Sequence, residues 1–258
     1  DFFFNEDDSS STLYFSKKKN IEFLKHHLSH LGWIFTSPFE ECAFAIIDEH
    51  GESDTIFLGK FSENRLSKLK TTIFPNSLGI FYSTFTEFLG MRAYSDEWKV
   101  MGAAAYGDAR RFEQKLRNLI HFSDGKIFLD SNYFTYGDTR FKGYYNEKLI
   151  DLIGVKPRLA NTKISQDFFD LAASTQSIFE ENLFKILRYL YKKTKSKNLF
   201  YNGGCAMNSL ANGKILENTD FQDLHISFAP SDLGCSIGSV LYQKGIKKKK
   251  LWRLPVTP

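Results

Sequence analysis

The stretch Glu41-Cys-Ala-Phe-Ala-Ile-Ile-Asp48-Glu-His-Gly51-Glu-Ser53-Asp-Thr-Ile-Phe-Leu-Gly-Lys-Phe61 decides the fold. From Cys42 to Asp48 it is a nearly continuous apolar run, the pattern of a central strand with both faces covered. Asp48, Gly51 and Ser53 are turn formers, and beyond them Ser53 to Phe61 and Leu66 to Ile73 read as two further strands. Three strands in succession, the first buried on both sides, predict a sheet that needs helices on its two faces.

The chain after Ile73 supplies those helices. Leu78, Phe81, Tyr82, Phe85 and Leu89 fall on one side of a helix predicted over Ser77–Leu89. Residues 91–165, rich in Gly, Tyr and Asp, read as an insertion with short elements of its own. A long helix follows from about Gln166 to Lys193, with Leu171, Ile178, Leu183, Ile186 and Leu190 as its buried stripe. Strand and helix then alternate over Asn198–Tyr201, Ser209–Leu216, Leu224–Ala229 and Leu233–Tyr242. Residues 41–244 therefore read β-β-β-α-(insert)-α-β-α-β-α, an α/β mixed sheet with flanking helices. That order matches one complete lobe of an actin-like, ribonuclease-H-type fold, in which two lobes clasp a nucleotide. A strand over Ile21–Lys25 and a helix from His26 to about Phe35 place residues 21–40 at the end of the other lobe. Residues 1–20 read as an N-terminal loop or remnant, and 245–258 as a basic linker toward a further C-terminal domain.

Composition narrows the function classes. A hydrophobic content of 42% with 16% aromatics in 258 residues fits a folded globular chain with a sizeable core. The net charge of +4 gathers in Lys17–Lys19 and Lys247–Lys250; no basic stripe with interleaved aromatics joins these runs, so neither a nucleic-acid nor a membrane surface is expected. There is no run of eighteen apolar residues and no signal-peptide pattern. Cys42, Cys205 and Cys235 are odd in number and widely spaced, which indicates neither a disulfide framework nor a thiolate zinc site and fits a reducing cytoplasm.

Five segments can carry chemistry. In Lys25-His26-His27-Leu28-Ser29-His30 the four-residue spacing puts His26 and His30 on one helical face, half of a transition-metal site that lacks a carboxylate; an ordinary His-rich helix start is the competing reading. Asp48 and Gly51, at the end of the first strand, suit a phosphate and its Mg²⁺, and equally suit a plain turn. Gly203 and Gly204, with Asn208, lie between a strand and a helix, where bare backbone and a helix start favour an anionic or polar ligand, or make a tight turn. In Ala229-Pro-Ser-Asp232-Leu-Gly234, Asp232 is either an N-cap or the carboxylate completing a His26, His30, Asp232 site. Two imidazoles and a carboxylate suit Fe²⁺, and also Zn²⁺ or Mn²⁺. Lys99, beside Gly102 and Ala103–Ala105, is a phosphate contact or a surface lysine.

Taken in order, eight segments resemble the O-carbamoyltransferase family of nodulation-factor and antibiotic carbamoyltransferases. They are His26-His-Leu-Ser-His30, Ser37-Pro-Phe-Glu-Glu41, Asp48-Glu-His-Gly-Glu52, Phe74-Pro-Asn-Ser-Leu-Gly79, Lys99-Val-Met-Gly102 with Tyr106-Gly107, Asp170-Leu-Ala-Ala-Ser174, Asn202-Gly-Gly-Cys-Ala-Met-Asn208 and Pro230-Ser-Asp-Leu-Gly234. The resemblance implies an actin-like domain akin to the tRNA threonylcarbamoyl-transfer enzyme. By it, His26, His30 and Asp232 hold a divalent metal, Fe²⁺ first. Gly203, Gly204 and Asn208 lie along the nucleotide, and Asp48, Gly51, Lys99 and Gly102 line the phosphate and carbamoyl side. The implied reaction passes a carbamoyl group from carbamoyl-adenylate, made from carbamoyl phosphate and ATP with Mg²⁺, to a hydroxyl of a small molecule or sugar. Tyr133, Tyr136, Tyr144 and Tyr145 of the insertion could stack on such a ring, and buried or surface aromatics explain them equally well. Family members normally begin with strands of the first lobe and continue into an adenylate-forming domain, so a fragment or split enzyme, with that domain in cis or trans, is expected. The competing functions are an actin-like ATP-dependent kinase with Asp48 as base, and a non-catalytic nucleotide- and metal-binding remnant. An Fe²⁺ oxygenase with the same three ligands is disfavoured by the β-α order.

Overall fold

The computed structural model describes residues 23–136 and 143–247. Strands β1 (Cys42–Ile47), β2 (Asp54–Ser62) and β3 (Arg65–Ile73) open a sheet that β6 (Asn198–Asn202) and β7 (Asp223–Ile226) complete. The order is β3-β2-β1-β6-β7. β2 is antiparallel to both β1 and β3, whereas β1, β6 and β7 run parallel, so β2 alone opposes the rest. This is the ribonuclease-H-type lobe expected from the element order.

The unbroken apolar run of β1 has its explanation in the two faces of the sheet. Strand side chains alternate between faces. Ala43, Ala45 and Ile47 join Ile56 and Leu58 under α2 (Leu78–Phe88) and α6 (Gln166–Thr194). Cys42, Phe44 and Ile46 pack instead with Phe57, Phe61 and Phe200 against Leu31, Trp33 and Ile34. All six residues of β1 are buried. The second layer is α1 (His26–Leu31), the 3-10 helix Gly32–Thr36, and α9 (Cys235–Lys247). The insertion contributes α3 (Glu97–Ala103), α4 (Glu113–Arg117), the β4–β5 hairpin (Ile120–Ser123 and Lys126–Leu129) and α5 (Glu147–Ile153). No helix among the described residues is long and apolar enough to cross a membrane.

Several boundaries differ from the sequence reading. The expected strand at 21–25 falls partly outside the described residues, and 23–25 are irregular. The helix from His26 tightens into the 3-10 form at Gly32. The helix expected over 209–216 is two short pieces, α7 (Ser209–Asn212) and α8 (Ile215–Asn218). The last helix begins at Cys235, after a 3-10 turn over Asp232–Gly234, and runs to Lys247, past the end read at Tyr242. Residues 1–20 and most of the basic tail lie outside the described residues.

Candidate functional site

Four loop and helix starts meet at the carboxyl end of β1. His26 is the first residue of α1, and its backbone N–H donates to both carboxylate oxygens of Glu52, at 3.0 and 3.2 Å. A carboxylate at this end complements the helix dipole and satisfies an orphan donor. One helical turn on, His30 is fully buried, and the two Nε2 atoms stand 3.0 Å apart. The carbonyl of His30 accepts from Nδ2 of the buried Asn202 at 2.9 Å, and Oδ1 of Asn202 accepts from Ser227 Oγ at 2.8 Å. The end of β6 thereby fixes where α1 points its histidines.

Two carboxylates face the imidazoles. Asp48, the residue after β1, has Oδ2 2.8 Å from His30 Nε2 and 3.3 Å from His26 Nε2, while its Oδ1 accepts from the Glu49 N–H at 2.8 Å. Asp232 Oδ1 lies 3.4 Å from His26 Nε2 and 3.3 Å from His30 Nε2. Its turn is held by Trp33 Nε1 donating to the Gly234 carbonyl at 3.0 Å. Cys235 adds a sulfur 3.5 Å from His30 Nε2. The side chain of Asp48 is 10% exposed and that of Asp232 74%, so the cluster opens to solvent on the Asp232 side.

The field at this point favours positive charge. Burial works to lower the His26 and His30 pKa values, but hydrogen bonds to Asp232 and Asp48 outweigh it and raise them to about 10 and about 11. Hydrogen bonds from both histidines bring Asp232 down to about 2, and for Asp48 they overcome burial and hold it well below the usual carboxylate range. Two imidazolium rings cannot aim N–H groups at each other, so the Nε2 atoms need a shared proton or one cation between them. The donor set fits a metal: a tetrahedral dication bonded at about 2.0–2.1 Å has ligand edges of roughly 3.3 Å. The observed edges among His26, His30 and Asp232 are 3.0, 3.4 and 3.3 Å.

The remaining candidates divide. Gly203 and Gly204 lie against the site, with Gly203 at φ 98°; added Cβ atoms would come within 2.3 Å of the Ile47 carbonyl oxygen and 2.6 Å of Asp48 Oδ1, respectively. Packing against β1 and Asp48 thus accounts for both glycines. Asn208 caps α7 and exchanges two 2.9 Å hydrogen bonds with Gln176. Gly51 packs on the ring of His27. Lys99 is paired with Asp96 at 2.8 Å, the arrangement of a surface lysine. Among the described residues a Cβ on Gly102 would meet nothing within 4 Å, so close approach to any of them does not explain this glycine.

Sequence reasoning missed several neighbours. His27 is buried, and burial pushes its pKa down to about 4, leaving the ring neutral. Burial and the Glu97 charge push Glu49 up to about 8. Beside it stands an aromatic wall: Tyr136 is 4.9 Å from Tyr144, 5.7 Å from His50 and 5.5 Å from Phe74 between ring centroids. Tyr133 and Tyr145 pack instead against the main core. The signal for Cys235 was present, as a thiol three residues beyond Asp232; Asp48, read for a phosphate and its Mg²⁺, stands against the two histidines.

A family profile described as "Carbamoyltransferase N-terminus" matches residues 9–241. The uncharacterized protein sll1178 of Synechocystis sp. is 33% identical over 237 residues, covering 90% of this chain and 38% of that protein. Nodulation protein NolNO of Sinorhizobium fredii is 32% identical over 225 residues, covering 86% and 31%. The chain therefore spans about a third of the length of these curated relatives. Among solved structures, T. kodakarensis HypF aligns with a TM-score of 0.46 at 13% identity, covering 91% of this chain and 38% of that one.

Proposed function

Because the chain belongs to the carbamoyltransferase N-terminus family, we propose that it transfers a carbamoyl group from carbamoyl-adenylate to a hydroxyl of a small molecule or sugar. Carbamoyl phosphate and ATP with Mg²⁺ are the sources of the adenylate. Residues 21–244 serve as the actin-like, metal- and nucleotide-binding domain, with residues 41–244 as its second lobe. The rest of the cleft and an adenylate-forming domain come from elsewhere in the protein or from a second polypeptide.

The observation that carries this reading is the convergence of His26 Nε2, His30 Nε2 and Asp232 Oδ1 beside the Gly203–Asn208 loop. In the proposal these three hold a divalent metal, Fe²⁺ first, with Zn²⁺ or Mn²⁺ acceptable to the same donors. Such an ion, when bound, neutralises charge on an acyl phosphate and polarises it. Asn202 and Glu52 position the imidazoles from the two ends of α1. The opening on the Asp232 side admits the acyl group, and the backbone N–H groups of Gly204 and Cys205 would receive phosphate oxygens. The ring wall of Tyr136 and Tyr144 would hold the acceptor's flat face near the reacting carbon, which acts through proximity.

The test is calorimetry with a hydrolysis-resistant carbamoyl-adenylate mimic bearing a sulfamate in place of the phosphate. Binding that needs one equivalent of Fe²⁺ or Zn²⁺, exceeds ATP binding tenfold or more and falls in Asp232→Asn is the expected result. Preference for ATP, independent of metal and of His30→Ala, would instead favour a kinase.

A further inference from the structure

We propose that Gln176 is a positioning residue for the nucleotide side of the site: it acts through Asn208 and sets how tightly the Gly203–Asn208 loop holds the adenylate, while touching neither ligand nor metal. The inference rests on the carbamoyl-adenylate reading and adds to it the group that holds one end of this loop. Gln176 lies within α6 and is 4% exposed. Its amide faces that of Asn208, and the two exchange hydrogen bonds: Gln176 Nε2 donates to Asn208 Oδ1, and Asn208 Nδ2 donates to Gln176 Oε1, each at 2.9 Å.

Every hydrogen-bonding position of the Gln176 amide is taken. Nε2 also donates to Glu180 Oε1 at 2.8 Å, and Oε1 also accepts from the Tyr82 hydroxyl at 2.9 Å. An amide has two N–H donors and an oxygen with two lone pairs, so none is left over. The partners fix which way the amide points. Both oxygens of Glu180 accept from Lys214 Nζ at 2.8 Å, and a carboxylate offers acceptors only, so the NH₂ side must face it. A buried network satisfied in full holds a single arrangement. Asn208 passes that constraint to the loop. Its Oδ1 also accepts from the Ala211 N–H at 3.0 Å, and its own N–H donates to the Cys205 carbonyl at 3.2 Å. At the other end, Gly203 and Gly204 press on Ile47 and Asp48. The loop is therefore pinned by β1 at its glycines and by Gln176 at Asn208. The second pin is made of side chains alone and can be removed without moving a strand. None of these hydrogen bonds involves His26, His30 or Asp232, so an effect on the loop is separable from an effect on the metal.

Calorimetry with the sulfamate mimic of carbamoyl-adenylate, on Zn²⁺-loaded chain, makes that separation. Gln176→Met keeps the side-chain length and removes all four hydrogen bonds; Asn208→Ser keeps a capping oxygen for α7 and removes the amide pair. Each should weaken mimic binding about 10–100-fold, the scale for losing an orienting partner behind a ligand contact, with Zn²⁺ affinity unchanged. The double variant should lose no more than the weaker-binding single, as for two residues that act as one unit. Tyr82→Phe leaves the amide pair intact, and should lose stability in urea while keeping its affinity for the mimic. If circular dichroism shows Gln176→Met unfolded, Gln176→Glu, which keeps both accepting bonds, takes its place in the cycle. Wild-type mimic affinity in the Gln176 variant, losses that add in the double variant, an equal loss in Tyr82→Phe, or a parallel fall in Zn²⁺ affinity overturns the positioning role and leaves the carbamoyl-adenylate reading standing. Failure of Zn²⁺-loaded wild type to bind the mimic overturns both.

Discussion

Replacing Gly203 by alanine tests how the loop between β6 and α7 is held against the site. Gly203 has φ 98° and ψ 170°, a region that only glycine occupies without strain, at about 1–3 kcal/mol for any other residue. An added Cβ would sit 2.3 Å from the Ile47 carbonyl oxygen and 2.8 Å from its carbon. These are backbone atoms at the end of β1, which is paired to β2 and β6. Relief requires displacing the central strand, an overpacking cost of about 1–3 kcal/mol. Together the loss is roughly 4 kcal/mol against a total stability of about 5–15 kcal/mol. Urea unfolding followed by circular dichroism measures it, and the thermal midpoint should fall by roughly 10 °C. Gly102→Ala is the contrast: in α3, with nothing within 4 Å of a new Cβ, it should gain about 0.5–1 kcal/mol from helix propensity. A loss below about 1 kcal/mol in Gly203→Ala would refute the packing argument, as would an equal loss at Gly102.

Asn202→Ala leaves the buried His30 carbonyl and the Ser227 hydroxyl unpartnered; a loss of about 2–3 kcal/mol is expected in urea, with metal affinity reduced about 10–100-fold, and unchanged affinity would deny Asn202 its positioning role. Asp170 is 4% exposed and accepts from the Asp108 N–H, Gln166 Nε2 and Arg111 Nη1 at 2.9, 2.8 and 3.0 Å. Burial opposes ionisation there, yet these three donors win and depress its pKa. A depressed folded-state value stabilises the protein above the unfolded pKa of about 3.9 and is lost as pH falls through the folded value. Asp170→Asn should thus cost about 2 kcal/mol at pH 7 and progressively less under acid; a pH-independent difference in melting temperature would contradict it. Trp33→Phe removes the indole donor to the Gly234 carbonyl, and a stability loss of about 1–2 kcal/mol should come with weaker metal binding by calorimetry.

The parts legible in the sequence were those with a periodic or compositional cause. The apolar run of Cys42–Ile47 could only be a strand covered on both faces, and the buried stripe of the long helix ends within a residue of where it was read. His26 and His30 were paired because helical spacing is local, and Asp232 was read from the loop after the next strand, which the fold brings beside them. Cys235 and Glu49 were not, since their roles come from contacts across 205 and 34 residues, to His30 and Ser83. Gly203 and Gly204 were singled out as bare backbone for a ligand or as a tight turn, and in the fold their missing side chains make room for Ile47 and Asp48. Lys99 was read as a phosphate contact or a surface lysine, and in the fold its ammonium group pairs with Asp96.

Metal content bears most directly on the carbamoyl-transfer account, measured on chain purified without oxygen and compared among wild type, His30→Ala and Asp232→Asn, with circular dichroism to establish that each variant is folded. The account predicts close to one equivalent of Fe²⁺ or Zn²⁺ in wild type and a large loss in both variants. Metal-free wild type that stays so after incubation with either ion, or variants that hold as much as wild type, would contradict it.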